Sequence, residues 1–214
     1  AARRLPALMV TLAPEAATPE QIATLSGAGA IVSLGHSDCD YDTARAAFEA
    51  GASCATHLFN AMSQLGHRTP GLVGAILSGH ARAGLIADGI HVHPAAMRTT
   101  LAARPEGIFL VTDCMAFAGT DRTEMELNGR QVLRRDGRLT LADGTLAGAD
   151  LTLPDAIALL VTELGITPGR ALRMATAEPA QLLGIEDHHG RLTPGRKADL
   201  IRLGPDFQVI EHWL

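Results

Sequence analysis

Large aromatic side chains and cysteines are both scarce in this chain. Phe, Trp and Tyr make up 3% of its 214 residues, although hydrophobic residues as a whole make up 47%. Small aliphatic side chains must therefore fill the core, which favours helices packed closely on strands. The cysteines are three, Cys39, Cys54 and Cys114, with no CxxC pair. An odd count without a pairing motif argues against a disulfide framework, so we expect a reducing, cytoplasmic location.

Positive charge and long apolar runs are also in short supply. Lys and Arg number 18 against 23 Asp and Glu, which gives a formal net charge of −5. A nucleic-acid partner is not expected, because binding to a phosphate backbone requires a basic surface. No apolar run approaches the roughly 18 residues of a membrane-spanning helix, so a membrane partner is not expected either.

Short apolar runs of strand length alternate with helical patterns over most of the chain. The runs predict five buried strands, at residues 7–12, 30–34, 53–58, 84–88 and 108–112. Helices are predicted at residues 19–28, 41–50, 153–164 and 168–183, the first with Thr18 as its N-cap. Strands alternating with helices indicate a parallel α/β sheet with crossover connections. A polar, glycine-rich segment near 121–147 predicts a β-hairpin insertion, and the tail is predicted to form strands.

Metal-binding or titratable side chains stand where the predicted strands stop. In chain order they are Glu15, His36, His57, His91 and Asp113, at spacings of 21, 21, 34 and 22 residues. Because the carboxyl ends of parallel strands lie on one face, these side chains are expected to share that face. A single His after a strand is usually an ordinary loop residue, but five such groups at successive strand ends are difficult to attribute to chance. Imidazole and carboxylate groups are the ligands of a catalytic divalent metal that activates water.

Six segments of the chain carry a family resemblance, in order and at compatible spacing. They are VTLAPE (10–15), GHSDCDYDTARAAFEAG (35–51), THLFNAM (56–62), HRTPGLVGAIL (67–77), IADGIHVHP (86–94) and LVTDCMAFAGT (110–120). These segments resemble the N-acetylglucosamine-6-phosphate deacetylases. Two later segments, RMATAEPAQLLGI (173–185) and GRLTPGRKADLIRL (190–203), resemble the ending of the wider amidohydrolase superfamily.

The resemblance implies a fold and a reaction. The fold is a TIM-type (β/α)₈ barrel with a small β-sandwich, and the reaction is hydrolysis of the acetamide of N-acetylglucosamine 6-phosphate to glucosamine 6-phosphate and acetate. The implied cofactor is a divalent metal, zinc, iron or manganese, and the implied assembly is a homodimer. Two other amidohydrolase activities stay open, an N-acetylgalactosamine-6-phosphate deacetylase and a dihydroorotase-like enzyme, and so does a truncated, inactive fragment. The pairing of THLFNAM with HR at 67–68 favours a phosphosugar substrate over a cyclic amide.

Matching the motifs residue by residue implies roles for individual side chains. His36 and His57 correspond to metal ligands, Asp113 to the catalytic carboxylate, and His91 to a catalytic group near the substrate carbonyl. The implied substrate contacts are Asn60, Ala61, Arg68, Asp88, His91 and a pocket loop of Leu146, Ala147 and Gly148. Cys114, directly after Asp113, is interpreted as a small buried side chain rather than a nucleophile.

The chain also departs from the family pattern. The HLEGP-type segment that carries the family's metal carboxylate does not appear before VTLAPE, and five strands are predicted where a closed barrel needs eight. We therefore predict a partial barrel over residues 1–190 and the C-terminal strands of a β-sandwich over residues 191–214. Glu15 is interpreted as a residue supporting the metal ligands rather than a ligand itself.

Overall fold

Five parallel strands form the central sheet of the protein. The computed structural model describes residue 5 and residues 7–213, so the extreme ends of the two predicted domains lie outside the described residues. The sheet order follows the chain, β1-β2-β3-β4-β5. Its strands are β1 (Met9–Leu12), β2 (Ile31–Leu34), β3 (Cys54–Ala55), β4 (Arg82–Leu85) and β5 (Ile108–Leu110). The five predicted parallel strands are confirmed. Strands β1 and β2 begin later than the apolar runs that predicted them, whereas β3, β4 and β5 end before those runs do.

Helices connect these strands, and three of the four begin at a residue whose side chain caps the helix. They are α1 (Pro19–Gly27), α2 (Tyr41–Glu49), α3 (Gly71–Ser78) and α4 (Pro94–Ala103), with a short 3₁₀ helix at Pro14–Ala16 after β1. Thr18 is the N-cap of α1, as predicted, and it forms a capping box with Gln21. The carboxylate of Asp40 accepts a hydrogen bond from the N–H of Thr43 and so caps α2. The sequence analysis did not predict α3 and α4.

A second sheet stands between β5 and the last helices. Its four antiparallel strands, in the order β6-β7-β8-β9, are β6 (Glu124–Leu127), β7 (Arg130–Arg135), β8 (Arg138–Leu141) and β9 (Leu146–Ala149). The prediction of a β-hairpin near 121–147 therefore accounts for two strands where the structure has four. The sheet has a core of its own, in which Phe117, Val132 and Leu139 are fully buried.

The C-terminal part contains three helices and a strand pair. The helices are α5 (Leu153–Thr162), α6 (Pro168–Ala175) and α7 (Ala177–Leu183), so the single helix predicted over 168–183 is broken at Thr176. Strands β10 (Leu200–Leu203) and β11 (Val209–Trp213) pair antiparallel. Within residue 5 and residues 7–213, no helix combines the length and apolarity that crossing a membrane would require.

Small aliphatic side chains build the main core, as the composition predicts. One cluster of buried residues runs through the parallel sheet and the helices packed on it, with Leu34, Leu58 and Leu85 completely inaccessible. The amino ends of the strands are tied down by polar groups, for example by the ion pair of 2.6 Å between Arg82 and Glu178 of α7. The candidate side chains stand at the other edge of the sheet, at the carboxyl ends of its strands.

Candidate active site

The five predicted strand-end residues do follow the strand ends of the sheet. Glu15, His36, His57 and Asp113 each come two or three residues after the last residue of their strand, and His91 lies in the loop after β4. Because the strands are parallel and adjacent, these loops all lie at one edge of the sheet.

Three of these residues have a backbone conformation that side-chain-bearing residues rarely adopt. The φ angles are 51° at His36, 29° at His57 and 48° at Asp113. Each left-handed residue costs about 1–3 kcal/mol and persists only where the surroundings hold it. At His57 and Asp113 these angles explain why β3 and β5 end before the apolar runs do, since a parallel strand requires φ near −120°. Strain at the ends of three of the five strands, β2, β3 and β5, indicates a functional site rather than an accident of packing.

His36 and His57 face each other through their Nε2 atoms. The two nitrogens are 3.0 Å apart, and the rings meet edge to face with centroids 4.8 Å apart. Two nitrogens bound at about 2.0–2.1 Å to one tetrahedral zinc ion would lie about 3.3 Å apart, so the observed separation fits a shared divalent metal. Without a metal the contact is a hydrogen bond that needs a proton on one Nε2, and a divalent ion would take the place of that proton. The donor pair therefore fits the implied metal.

The ligand set that the described residues supply is incomplete. Among residue 5 and residues 7–213 there is no group of three or more His, Cys, Asp or Glu side chains arranged to hold a metal. The five strand-end groups stand at one edge of the sheet, as expected, and within the described part of the chain the contact between candidate ligands is that of the His36 and His57 imidazoles. The Nδ1 atom of His57 is buried and has no hydrogen-bond partner among the described residues, although a ligating His normally donates from its second nitrogen.

Asp88 and His91 form a second close pair. Oδ2 of Asp88 lies 2.6 Å from Nδ1 of His91, and both side chains are about 7% exposed. Oδ1 of Asp88 accepts hydrogen bonds of 2.8 Å from the backbone N–H groups of Ile90 and His91. Burial alone would raise the pKa of Asp88, but the hydrogen bonds from His91 and from the backbone outweigh it and lower that pKa. Asp88 therefore orients His91, and both of its oxygens are occupied within its own loop.

Asp113 is exposed and is held from behind by the second sheet. Its carbonyl oxygen accepts a hydrogen bond of 2.9 Å from the N–H of Ala149 at the end of β9. A Cβ atom on Gly148 would lie 3.0 Å from that oxygen and 2.9 Å from Cγ of Met115, so only glycine allows this approach. The structure thus brings Gly148 beside Asp113, and Leu146–Gly148 belongs to strand β9 and not to a loop as predicted.

The loop after His57 contains the remaining predicted contacts. The side chain of Asn60 donates to the carbonyl of Leu58 at 3.2 Å, and Ala61 has a left-handed φ of 46°. Arg68 is exposed in the same loop, between β3 and α3, so its guanidinium is free to meet a ligand. The structure therefore places all three on the connection that follows a candidate ligand.

The cysteines differ from the prediction in one case. Cys114 is exposed, so its interpretation as a buried side chain is wrong, whereas Cys39 and Cys54 are buried and all three thiols are free. Burial raises the pKa of Cys54 to about 11, which keeps this thiol protonated and unreactive.

Sequence reasoning missed two residues that support the site. Ser37, in the GHS motif beside His36, is buried and donates to the carboxylate of Glu15 at 2.5 Å. Arg134 of β7 makes a bidentate ion pair with Asp150, with both nitrogen–oxygen distances at 2.5 Å. Ser37 could have been found from its place next to a predicted ligand. Arg134 carried no signal, because its partner is brought close only by the antiparallel sheet.

A cavity of about 580 Å³ lies elsewhere on the molecule. It opens between α2 and α3 and is lined by residues such as Tyr41, Phe48 and His80. Its lining also includes Ser53 and Ala81, which precede β3 and β4, so it lies at the amino ends of the strands and away from the candidate site.

Comparisons with known proteins agree with this architecture. The N-acetylgalactosamine-6-phosphate deacetylase of Shewanella sp. (strain ANA-3) is 42% identical over 208 residues, which cover 96% of this chain and 52% of the relative. The N-acetylglucosamine-6-phosphate deacetylase of Bos taurus is 40% identical over 210 residues, which cover 94% of this chain and 51% of the relative. The chain thus spans about half the length of the curated relatives it matches.

A solved structure shows the same fold. The crystal structure of N-acetylglucosamine-6-phosphate deacetylase from Pasteurella multocida superposes with a TM-score of 0.93 at 38% identity, covering 96% of this chain and 55% of that one. The predicted partial TIM barrel of the amidohydrolase type is therefore confirmed. A model of the amidohydrolase family matches residues 6–213, and the chain belongs to that family.

Proposed function

We propose that this chain carries the later part of the active site of a metal-dependent deacetylase that hydrolyses the acetamide of N-acetylglucosamine 6-phosphate. The observation that carries the proposal is the pair of Nε2 atoms of His36 and His57, 3.0 Å apart at adjacent strand ends of an amidohydrolase. The galacto epimer is the second candidate substrate, since relatives at 42% and 40% identity are named N-acetylgalactosamine-6-phosphate deacetylases.

His36 and His57 would hold the divalent metal. When bound, such an ion lowers the pKa of a water molecule and polarises an amide carbonyl, the two changes that amide hydrolysis needs. Neutral imidazole nitrogens suit zinc, iron and manganese, and the identity of the metal is left to measurement.

Asp113 is proposed to move the proton. Its carboxylate accepts a proton from the attacking water and delivers it to the nitrogen of the sugar as the carbon–nitrogen bond breaks, which gives a free amine and acetate. The backbone of Asp113 is fixed by the bond from Ala149, so the carboxylate is presented at the strand-end face without a further hydrogen bond to the described residues.

His91 is proposed to donate to the substrate from Nε2. Because the pKa of Asp88 is lowered, its carboxylate is ionised and requires a proton on Nδ1 of His91. Both a carbonyl oxygen and a phosphate are acceptors, so Nε2 must also carry a proton when it meets either of them. A ring that donates from both nitrogens carries a positive charge, and that charge would strengthen the hydrogen bond to a developing oxyanion.

Arg68 and the Asn60–Ala61 segment are proposed to bind the phosphate. A guanidinium offers a planar pair of donors to a phosphate dianion, and Arg68 is exposed on the loop that follows His57. Binding energy at the phosphate, remote from the amide, would fix the acetamide against the metal site.

We also propose a location, an assembly and a domain division for the enzyme. It acts in the cytoplasm as a homodimer on a phosphosugar, and residues 1–190 form the barrel portion while residues 191–214 contribute to a β-sandwich. The segment Leu146–Gly148 is proposed to line the sugar pocket beside Asp113.

The experiment uses the protein as expressed from its own gene, loaded with zinc. N-acetylglucosamine 6-phosphate, N-acetylgalactosamine 6-phosphate and dihydroorotate are compared as substrates, with acetate release measured for the two sugars. We expect the gluco compound to have the highest kcat/KM and Asp113→Asn to abolish turnover. Glu106→Gln, at the amino ends of the strands, is the charge-matched control and should be unaffected. Turnover of dihydroorotate alone, or an active Asp113→Asn variant, would refute the proposal.

A further inference from the structure

His36 occupies its strained conformation between two fixed points. On its amino side, the N–H of Gly35 donates to the carbonyl of Leu12 at 3.2 Å, and a Cβ on Gly35 would stand 2.9 Å from Cβ of Thr56. On its carboxyl side, the next residue is Ser37, whose side chain is only 5% exposed. A left-handed residue with φ of 51° needs restraint on both sides, because otherwise it relaxes to a commoner backbone angle.

Glu15 supplies the restraint on the carboxyl side. Its Oε2 accepts a hydrogen bond of 2.5 Å from the hydroxyl of Ser37, and its Oε1 accepts one of 3.0 Å from the N–H of Asp38. The Ser37 hydroxyl also accepts a bond of 3.2 Å from the N–H of Cys39, so its single proton is committed to Glu15. One carboxylate thus bridges the two residues that follow His36.

The turn that carries Glu15 is itself rigid. It is the 3₁₀ helix at Pro14–Ala16, in which Pro14 is buried and the N–H of Ala16 donates to the carbonyl of Ala13 at 2.9 Å. Since Leu12 and Glu15 belong to the same strand end, both sides of His36 are anchored to one element, β1 and its following turn.

The backbone of Ser37 also forms hydrogen bonds with the loop that follows His57. The N–H of Ser37 donates to the carbonyl of Ala61 at 3.1 Å, and the N–H of Ser63 donates to the carbonyl of Ser37 at 3.1 Å. Ser37 and Met62 therefore pair as an isolated parallel bridge. Moving Ser37 would displace the connection after His57 together with His36.

We propose that Glu15 is a positioning residue for the metal site, which it serves by fixing Ser37 and Asp38 and thereby the direction of the His36 imidazole. The inference rests on the proposed function, since it assumes that His36 is a ligand. Both oxygens of Glu15 are already engaged by these donors, which is why we assign it this role and not that of a third ligand. Residues that orient a ligand typically contribute 10- to 100-fold in metal affinity.

The test measures Co²⁺ binding to the metal-free protein as expressed from its own gene. Visible absorption of bound Co²⁺ reports both the Kd and the ligand geometry, independently of catalysis. The variants are Glu15→Ala, Glu15→Gln, Ser37→Ala and His36→Ala, with Glu106→Gln as the charge-matched control. We expect Glu15→Ala to raise the Kd by about 10- to 100-fold. Glu15→Gln should have a smaller effect, because its amide oxygen can still accept one of the two hydrogen bonds.

A double-mutant cycle separates positioning from general destabilisation. Glu15→Ala and Ser37→Ala should be less than additive in Kd, because both remove the hydrogen bond between the Ser37 hydroxyl and Glu15. Thermal unfolding of the metal-free variants serves as the folding control, and the Glu15→Gln arm keeps the test valid if Glu15→Ala does not fold.

Three outcomes would overturn the inference. The first is a Glu15→Ala variant that binds Co²⁺ with the wild-type Kd and spectrum. The second is strict additivity of the free-energy changes in the double-mutant cycle. The third is a loss of Co²⁺ affinity in Glu15→Gln as large as that in His36→Ala, which would make Glu15 a ligand. If His36→Ala binds Co²⁺ as the wild type does, the ligand assignment in the proposed function fails instead, so the two failures are distinguishable.

Discussion

Replacing Asp88 by Asn probes how His91 acts. The substitution preserves shape, and the amide oxygen can still accept the two backbone hydrogen bonds of 2.8 Å that Oδ1 receives from Ile90 and His91. The atom at the position of Oδ2, 2.6 Å from Nδ1 of His91, becomes a donor. The ring must then accept at Nδ1 and carry its single proton on Nε2, so it becomes a neutral donor in place of an imidazolium.

The magnitude follows from the change in hydrogen-bond type. A hydrogen bond to a charged group contributes about 1.5–3 kcal/mol and a neutral one about 0.5–1.5 kcal/mol. The substitution should therefore cost about 1–1.5 kcal/mol of transition-state stabilisation, or roughly a tenfold fall in kcat/KM at neutral pH. Folding stability should fall by no more than about 1 kcal/mol, because all three hydrogen bonds can be re-formed. Asp88→Ala, which also loses the two backbone bonds, should be clearly less stable.

The assay is kcat/KM on N-acetylglucosamine 6-phosphate at neutral pH, with urea unfolding in parallel. We expect the rate of Asp88→Asn to fall roughly tenfold while its folding stability stays close to that of the wild type. A variant with the wild-type rate would refute the assignment of His91 as a charged donor. Equal rates for Asp88→Asn and Asp88→Ala would refute the role of the ring tautomer.

Three further measurements test the residues that hold the site in place. Arg134→Ala should lower kcat by about tenfold or more, since it loosens the sheet behind Asp113, and the Co²⁺ Kd should not change. Asp88 has a lowered pKa in the folded protein, so its stabilisation is present above its unfolded pKa of about 3.9 and is lost as the pH falls through the folded value. The stability difference between wild type and Asp88→Asn in urea unfolding should therefore shrink below about pH 4. Ser63→Ala should cost about 1–3 kcal/mol in the same assay, because its hydroxyl caps the N–H of Leu72 at 2.7 Å.

The sequence allowed the parallel sheet to be predicted because its evidence is local. Apolar runs such as 30–34 have no helical period, and helix caps such as Thr18 and Asp40 use short-range hydrogen bonds. The carboxyl ends of β3, β4 and β5 were predicted too far along the chain, because hydrophobicity continues past the residue at which the strand ends. At His57 the φ angle of 29° ends β3 after Ala55, although the apolar pattern continues to Leu58.

The supports of the site could not be predicted, because they join segments that are remote in sequence. Glu15 and Ser37 lie 22 residues apart, and Arg134 and Asp150 lie 16 residues apart across an antiparallel sheet. Nothing in either local sequence specifies the partner. The candidate ligands were predicted from motif and position, whereas the contact between the Nε2 atoms of His36 and His57 is a property of the folded chain.

The two functional parts of the site are held by separate sets of contacts, and this separation has a testable consequence. Glu15 holds the imidazole loop from β1, while Asp113 is held by Ala149 of β9, whose neighbour Asp150 pairs with Arg134. No hydrogen bond among the described residues joins one set to the other. Energetically independent sites give additive free-energy changes, so Glu15→Gln combined with Arg134→Ala should lower kcat/KM by the product of the single effects. Steady-state kinetics of the two single variants and the double variant measure this directly. A double variant whose kcat/KM is no lower than that of the weaker single variant would refute this independence. Metal positioning and proton transfer would then depend on one shared structural element.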